Sequence, residues 1–218
     1  MARKKKISKK DIYSFYMDYY LENGEAPKSV YKLSKLYNFD ETHFYEFFGS
    51  LKGVEKSIFE SFFDQTIELL EKSEDYLNFD GRNKLLSFYY TFFEILTANR
   101  SFVLSILERD KNSPRFLKTI SSVKPGYNKF IKSLEIEKLD LKEARIEKFI
   151  DKSLEESLWA QFILCVKFWM DDDSASLEKT DIFIEKSINT GFDLLNVKPL
   201  KSILDLGKFL FHEKINMN

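Results

Sequence analysis

The sequence predicts an all-α protein, with a small N-terminal three-helix unit followed by a larger helical domain. Three observations carry that prediction. Apolar residues recur at three- and four-residue spacing along nearly every stretch. Helix start and stop signals punctuate those stretches, among them Gly24, Asp40, Asp80-Gly81, Pro114 and Pro199. Hydrophobic residues make up 44% of the 218 positions, enough for a substantial core. Aromatics favour strands on propensity alone, but the helical period outweighs that preference.

The first helix spans residues 9–23. Ile12, Phe15, Tyr16, Tyr19 and Tyr20 step along one side, Asp11, Asp18 and Glu22 along the other, and Gly24 ends it. Pro27 stiffens the connection that follows. Residues 29–54, SVYKLSKLYNFDETHFYEFFGSLKGV, then read as two short helices joined by a tight turn and the start of a longer helix. Val30, Leu33, Leu36 and Tyr37 give the first of these an apolar face. Asn38 and Phe39 make the turn, and Asp40 is placed to cap the next helix with its carboxylate. Phe44, Phe47 and Phe48 supply that helix's buried side, and Gly49-Ser50 ends it. Two helices this short on so tight a turn fit the helix-turn-helix pattern, whose second helix enters a DNA groove.

Residues 51–76 read as one long helix with Val54, Ile58, Phe62, Ile67 and Leu70 as its main stripe and Phe59 and Phe63 beside it. Residues 82–98 form a helix apolar almost all round, and residues 101–109 a short one. Ser113 as cap and Pro114 at the first helical position start a helix that runs to about Val123, breaks at Pro125-Gly126 and resumes over residues 127–134. Residues 135–150 form a charged helix that flows into residues 154–170. The end of that stretch, LWAQFILCVKFWM, needs cover on every side, and a second copy of the chain is the simplest cover. Residues 171–176, DDDSAS, form a loop. Its acids lack the alternating ligands and glycine of an EF-hand and read as acids near a helix N-terminus. Helices over residues 177–195 and 200–212 complete the chain.

Composition excludes several function classes. The two histidines, His43 and His212, and the single Cys165 cannot make a Cys/His zinc set, and no metal or cofactor is expected. No glycine-rich phosphate loop and no G-x-S-x-G elbow occurs, so no enzyme is expected. Cys165 suits a reducing cytosol and reads as a small core residue. No signal peptide is expected, because Asp11 and Asp18 interrupt the stretch after the first lysines, and no membrane span, because the apolar run over residues 162–170 is short and broken by Lys167. The net charge of −1 hides a basic start, MARKKKISKK, which reads either as a nucleic-acid-contacting arm or as a solvated tail.

Residues 9–60 resemble the N-terminal domain of TetR-type regulators. That family's pattern runs from a Thr/Ser-Val start through an Ile-Ala pair and a Gly-Val turn to Ser-x-Gly-x-Leu-Tyr-x-x-Phe and a Ser/Lys step. Here Ser29-Val30 matches the start, Leu33-Ser34 the pair, Phe44-Tyr45 the Leu-Tyr, and Phe48-Gly49-Ser50 the Phe-x-Ser, while Asn38-Phe39-Asp40 stands where Gly-Val-Ser would be. Upstream, Ile12, Tyr20 and Gly24 fall where the family has first-helix apolar residues and a helix-ending glycine. The resemblance implies two domains: a basic arm and DNA-binding helix-turn-helix over residues 1–50, and a ligand-binding and dimerisation domain over residues 51–218. It implies phosphate contacts by Ser29 and Tyr45 and base-facing places for Thr42 and His43. Lys52 lies one place later than the family's lysine. The departure is charge: residues 38–50 hold Asp40, Glu41 and Glu46 and no Lys or Arg, a poor composition for neutralising phosphate.

The resemblance further implies a cytoplasmic homodimer on a palindromic operator, answering to a hydrophobic small-molecule effector. Of the chain's 22 phenylalanines, Phe62, Phe63, Phe88, Phe92, Phe93, Phe102 and Phe116, with Trp159 and Phe162, are the candidate lining of an effector cavity. A filled aromatic core is the alternative. A different function also fits. Asp173-Ser174, Thr180 and Phe183 echo the acid-Ser loop and Phe-rich helix of a lipid-binding, ubiquinone-biosynthesis branch of the TetR fold. That would imply a lipid or isoprenoid carrier with a degenerate helix-turn-helix and no specific DNA binding. A plain helical dimerisation module is the third reading.

Overall fold

The computed structural model describes residues 6–109, 114–134 and 144–196. The arm before Lys6, the Ser113 cap, residues 135–143 and the helix expected over residues 200–212 lie outside the described residues. Among the described residues every regular element is a helix. In chain order these are α1 (Lys9–Asn23), α2 (Val30–Leu36), α3 (Glu41–Phe47), α4 (Leu51–Glu71), α5 (Glu74–Leu77), α6 (Gly81–Ala98), α7 (Arg100–Arg109), α8 (Pro114–Ile120), α9 (Lys124–Ser133), α10 (Ala144–Asp171) and α11 (Glu178–Asn196), with a 3-10 turn at Ala175–Leu177. They form two compact units. One takes the described residues up to Leu69 and in Phe92–Gly126; the other takes Leu70–Thr91 and the described residues from Tyr127 onward.

In the first unit α1 has the bounds its pattern predicts. A reciprocal cap starts it: the Ser8 hydroxyl accepts from the Asp11 amide at 3.2 Å, and the Asp11 carboxylate accepts from the Ser8 amide at 2.8 Å. Gly24 ends it at φ 69°, donating to the Tyr20 carbonyl. Ile12, Tyr16, Tyr19 and Tyr20 are buried. The predicted apolar faces of α2 and α3 are narrower than expected. Val30, Leu33, Phe44 and Phe48 are buried, but Leu36 is 56% exposed and Phe47 40%. Each of these helices is a single seven-residue element, so it has about two turns and can bury only one stripe.

Two other boundaries differ from expectation. α4 stops at Glu71 rather than Tyr76, because the Ser73 hydroxyl accepts from the Tyr76 amide and starts α5. Pro125-Gly126 opens α9 instead of breaking a helix. Proline is tolerated in the first turn, where its missing N–H has no intrahelical partner. The side chains of Ser121 and Ser122 turn back onto the Lys118 and Thr119 carbonyls and end α8 early. Gly126 suits its place because a Cβ there would lie 2.7 Å from a ring carbon of Phe63.

The second unit is built on rings. Phe88 stacks on Phe130 at 4.6 Å between centroids, and Tyr127 packs on Phe162 at 5.0 Å. Tyr127 donates to the Leu158 carbonyl at 3.2 Å and lies 3.0 Å from the Tyr89 hydroxyl, so the two buried phenols satisfy each other. Cys165 is fully buried, and burial pushes its thiol up to about 12. α10 packs on α11. No helix among the described residues is long and apolar enough to cross a membrane.

The loop before α11 is tied by one buried carboxylate. Asp172 accepts from the Ser174 amide and hydroxyl at 2.9 and 2.6 Å and from the Thr180 amide and hydroxyl at 2.8 and 2.6 Å. The sequence singled out Asp173 beside Ser174, but Asp173 is exposed and pairs with Lys179 at 3.3 Å. Burial alone would raise the Asp172 carboxyl's pKa. The bonds from Ser174 and Thr180 outweigh burial and hold it well below the usual carboxylate range. A depressed folded pKa stabilises in full above the unfolded value of about 3.9, and the contribution is lost as pH falls below it. Asp172→Asn, whose amide has one acceptor oxygen for four donors, should therefore lower stability at neutral pH by about 1–3 kcal/mol in urea unfolding. The gap to wild type should narrow below about pH 4; a gap independent of pH would show that the charge is not what stabilises.

Candidate nucleic-acid interface

The helix-turn-helix is set by two caps and one turn. The Ser29 hydroxyl accepts from the Lys32 amide at 3.1 Å and starts α2. Asn38 takes φ 55°, a left-handed conformation that asparagine tolerates better than most residues. The next amide, Phe39, donates back to the Ser34 carbonyl at 3.0 Å. Phe39 is 2% exposed and stacks on Phe15, which also stacks on Tyr37 at 4.4 Å. Asp40 Oδ1 accepts from the Thr42 amide at 3.3 Å and starts α3, and the fully buried Phe44 ring anchors it.

That anchoring decides which side of α3 faces outward. Thr42 and Glu46 are exposed. Tyr45 is 56% exposed, with its ring edge-on to Phe44 at 5.4 Å. His43 is half-buried, and its Nδ1 is shielded from solvent without a hydrogen-bond partner. Ser29 is exposed but its hydroxyl is engaged as the α2 cap. Lys52 is exposed in the first turn of α4. Lysines on neighbouring elements supply cations that α3 lacks. The Lys9 ammonium sits 5.6 Å from the Phe48 ring centre, Lys32 5.2 Å from Tyr19 and Lys35 6.0 Å from Tyr31.

Behind this surface, Glu55 of α4 joins three helices. The Tyr16 hydroxyl of α1 donates to Glu55 Oε1 at 2.6 Å, and Arg109 of α7 donates to both carboxylate oxygens at 3.4 and 3.2 Å. Burial and the bond to Glu55 push the Tyr16 phenol far up. Sequence reasoning missed this group. Tyr16 and Arg109 lie 39 and 54 positions from Glu55, and no local pattern links them.

The candidate effector residues divide between the units. Phe62, Phe63, Phe92, Phe93, Phe102 and Phe116 belong to the first. There Phe102 packs edge-on against Tyr16 and Tyr20, and Phe59 against Phe62. Phe88, Trp159 and Phe162 belong to the second, where Trp159 stacks on Phe162 at 5.2 Å and packs on Tyr127 at 5.6 Å. The same unit carries apolar residues in the open. Leu164 and Phe168 of α10 are 57% and 37% exposed, and Ile182 of α11 is 50% exposed. Phe168 stacks on Phe183 across the two helices at 4.5 Å.

Residues 84–210 match the family model described as tetracyclin repressor-like, C-terminal domain. No curated protein matches the chain.

Removing the hydroxyl at Glu55 tests the junction. Tyr16→Phe keeps the ring packing and should cost about 1.5–3 kcal/mol in denaturant unfolding, the range for a hydrogen bond to a charged group. Unchanged stability would mean that Arg109 alone satisfies the carboxylate.

Proposed function

The chain belongs to the TetR family, and from that premise we propose that it is a DNA-binding transcriptional regulator acting as a homodimer. One observation carries the reading. Residues 29–47 form two capped helices on a tight turn whose buried Leu33, Phe39 and Phe44 leave Thr42 and Tyr45 facing outward. In this reading Thr42 and His43 approach base edges, while Ser29, Tyr45 and Lys52 contact phosphate. Lys9, Lys32, Lys35 and the basic arm supply most of the electrostatic attraction.

Dimerisation falls to α10 and α11, the place the TetR-type layout gives it. Leu164, Phe168 and Ile182 form the apolar face left in the open there, and a two-fold pairing of α10 and α11 would cover it. A dimer presents two helix-turn-helix units to a palindrome with half-sites about 34–36 Å apart. We assign the effector to the aromatic residues. The rings around Phe88, Trp159 and Phe162 pack on one another, so a flat or long apolar molecule that replaces ring contacts with its own is the ligand class they suit.

The charge of α3 favours a second reading, a lipid or isoprenoid carrier with a degenerate helix-turn-helix. α3 carries Glu41 and Glu46 but no Lys or Arg, and Tyr31 and Leu36 of α2 with Phe47 of α3 itself add exposed apolar surface. One experiment separates the two. Purified protein is incubated with a genomic fragment library, the retained DNA is sequenced, and the best fragment is titrated against salt. A recurring palindrome with a steep salt slope supports the regulator. Weak, sequence-blind retention overturns it and favours the carrier, for which mass spectrometry of co-purified lipid is the direct check.

Two substitutions sharpen the proposal. Tyr45→Ala should weaken binding about tenfold on every sequence tested, as expected for one lost phosphate contact. Folded mutant protein that binds like wild type would remove Tyr45 from the interface. Leu164→Asp buries a charge in the proposed dimer face and should raise the dimer dissociation constant by about 30-fold or more, a hot-spot loss. An unchanged dimer in sedimentation would place the interface elsewhere.

A further inference from the structure

The first unit holds a cleft of about 530 Å³ with four cationic side chains and one carboxylate among its lining residues. Lys52 and Lys56 enter it from the start of α4, Arg109 from the end of α7 and Lys118 from α8. Glu55 is the carboxylate of the lining. The volume lies within the range of small-molecule sites, but its chemistry is the reverse of the aromatic clusters assigned to an apolar effector. Ser50 opens α4 at the same place, its hydroxyl accepting from the Gly53 amide at 3.2 Å.

The partners of these cations are unequal. Arg109 is held by Glu55, whose side chain is 13% exposed, and Lys56 reaches Glu60 at a loose 3.8 Å. Lys52 and Lys118 have no carboxylate partner among the described residues. Cations converging from three helices on one hollow repel one another, and Glu55 at Arg109 and the loose contact of Glu60 with Lys56 compensate part of that. The remainder is the field of an anion site.

We propose that this cleft binds a small anion carrying phosphate or carboxylate groups, with Lys52, Lys56 and Lys118 as its charge partners and Arg109 shared between ligand and Glu55. The cleft's lining lies wholly within the first unit and shares Lys52 with the proposed DNA-contacting surface. It needs no DNA binding to be correct. Its consequence for the fold follows from the sharing: an anion at Arg109 competes with Glu55, and thereby loosens the tie of α7 to α4 while leaving the Tyr16 bond to Glu55 in place.

The test is calorimetric titration of the full-length protein with inorganic pyrophosphate, without metal and at low salt. Saturable binding at one site per chain is expected. Lys118→Gln should weaken it about tenfold, as for one lost charge-assisted contact, and Lys186→Gln on α11 should leave it unchanged. Glu55→Gln, which keeps an acceptor for Tyr16 but removes the competing charge, should strengthen it. That sign separates ligand competition from structural support, since a damaged fold would weaken binding. Absence of saturable binding overturns the proposal, as does equal loss in Lys118→Gln and Lys186→Gln, or weaker binding in Glu55→Gln of unchanged circular dichroism. Duplex-DNA binding that depends on Lys118 without pyrophosphate binding would also overturn it, assigning the cleft to the nucleic-acid surface instead. Failure of the palindrome selection leaves these outcomes unaltered, so the two proposals fail separately.

Discussion

Two seven-residue helices do not persist in water by themselves, since an isolated helix of that length forms too few hydrogen bonds to repay its nucleation. α2 and α3 exist because Leu33, Phe39 and Phe44 are buried almost completely. Burying a side chain of this kind contributes about 1.5–3 kcal/mol. Phe39 occupies the turn itself, stacked against Phe15 of α1, so the turn is held by core packing as well as by the left-handed Asn38. Which side of α3 faces outward follows directly: a helix pinned by Phe44 must present Thr42 and Tyr45. The candidate interface is the complement of that burial.

Two carboxylates illustrate how charge is kept inside this fold. Asp172 is satisfied locally, by two amides and two hydroxyls within eight residues, and needs no counter-charge. Glu55 is satisfied at long range by a phenol and a guanidinium from two other helices. The first solution is rigid, because its donors are capping groups fixed by the helix start. The second is exchangeable, because Arg109 is 41% exposed and water or another anion can reach it. The guanidinium is the solvent-facing partner, so it can turn toward another anion without leaving water, while the largely buried Glu55 keeps its bond from Tyr16. Removing the carboxylate altogether would leave Tyr16 with a buried, unpaired hydroxyl.

These contrasts explain what the sequence revealed. The bounds of α1, the Asp40 cap and the turn at Asn38 rest on interactions within a few residues, and periodicity and cap chemistry express them directly. Leu36 and Phe47 fit the same period yet are exposed, because whether a face is covered depends on neighbours that the period does not encode. Pro125 illustrates a different limit. Proline both breaks a helix and opens one, and the choice was made by Ser121 and Ser122 ending α8 early. Asp172 and Asp173 are alike in sequence, and only the backbone path to Thr180 distinguishes the cap from its solvated neighbour. The meeting of Tyr16, Glu55 and Arg109 was not legible at all, since it depends on three helices packing together. The cleft beside them was hidden for the same reason.

The acidic character of α3 then becomes a question of where free energy for DNA binding would arise. Glu41 lies in the first turn of the helix, where the helix dipole favours it, and Asp40 is spent on the cap. Neither is free to be replaced without weakening α3. Glu46 has no such role and lies exposed beside Tyr45. Each anion near a phosphate opposes association, while each lysine that releases a counterion favours it. The lysines on α1, α2 and α4 therefore have to carry the attraction, with α3 supplying shape and polar contacts. On this division, affinity would be strongly salt-dependent, and discrimination between sequences would rest on few residues. A regulator so built would depend on pairing two weak readers in one dimer, which would make the proposed dimer face of α10 and α11 as necessary to operator recognition as α3 itself.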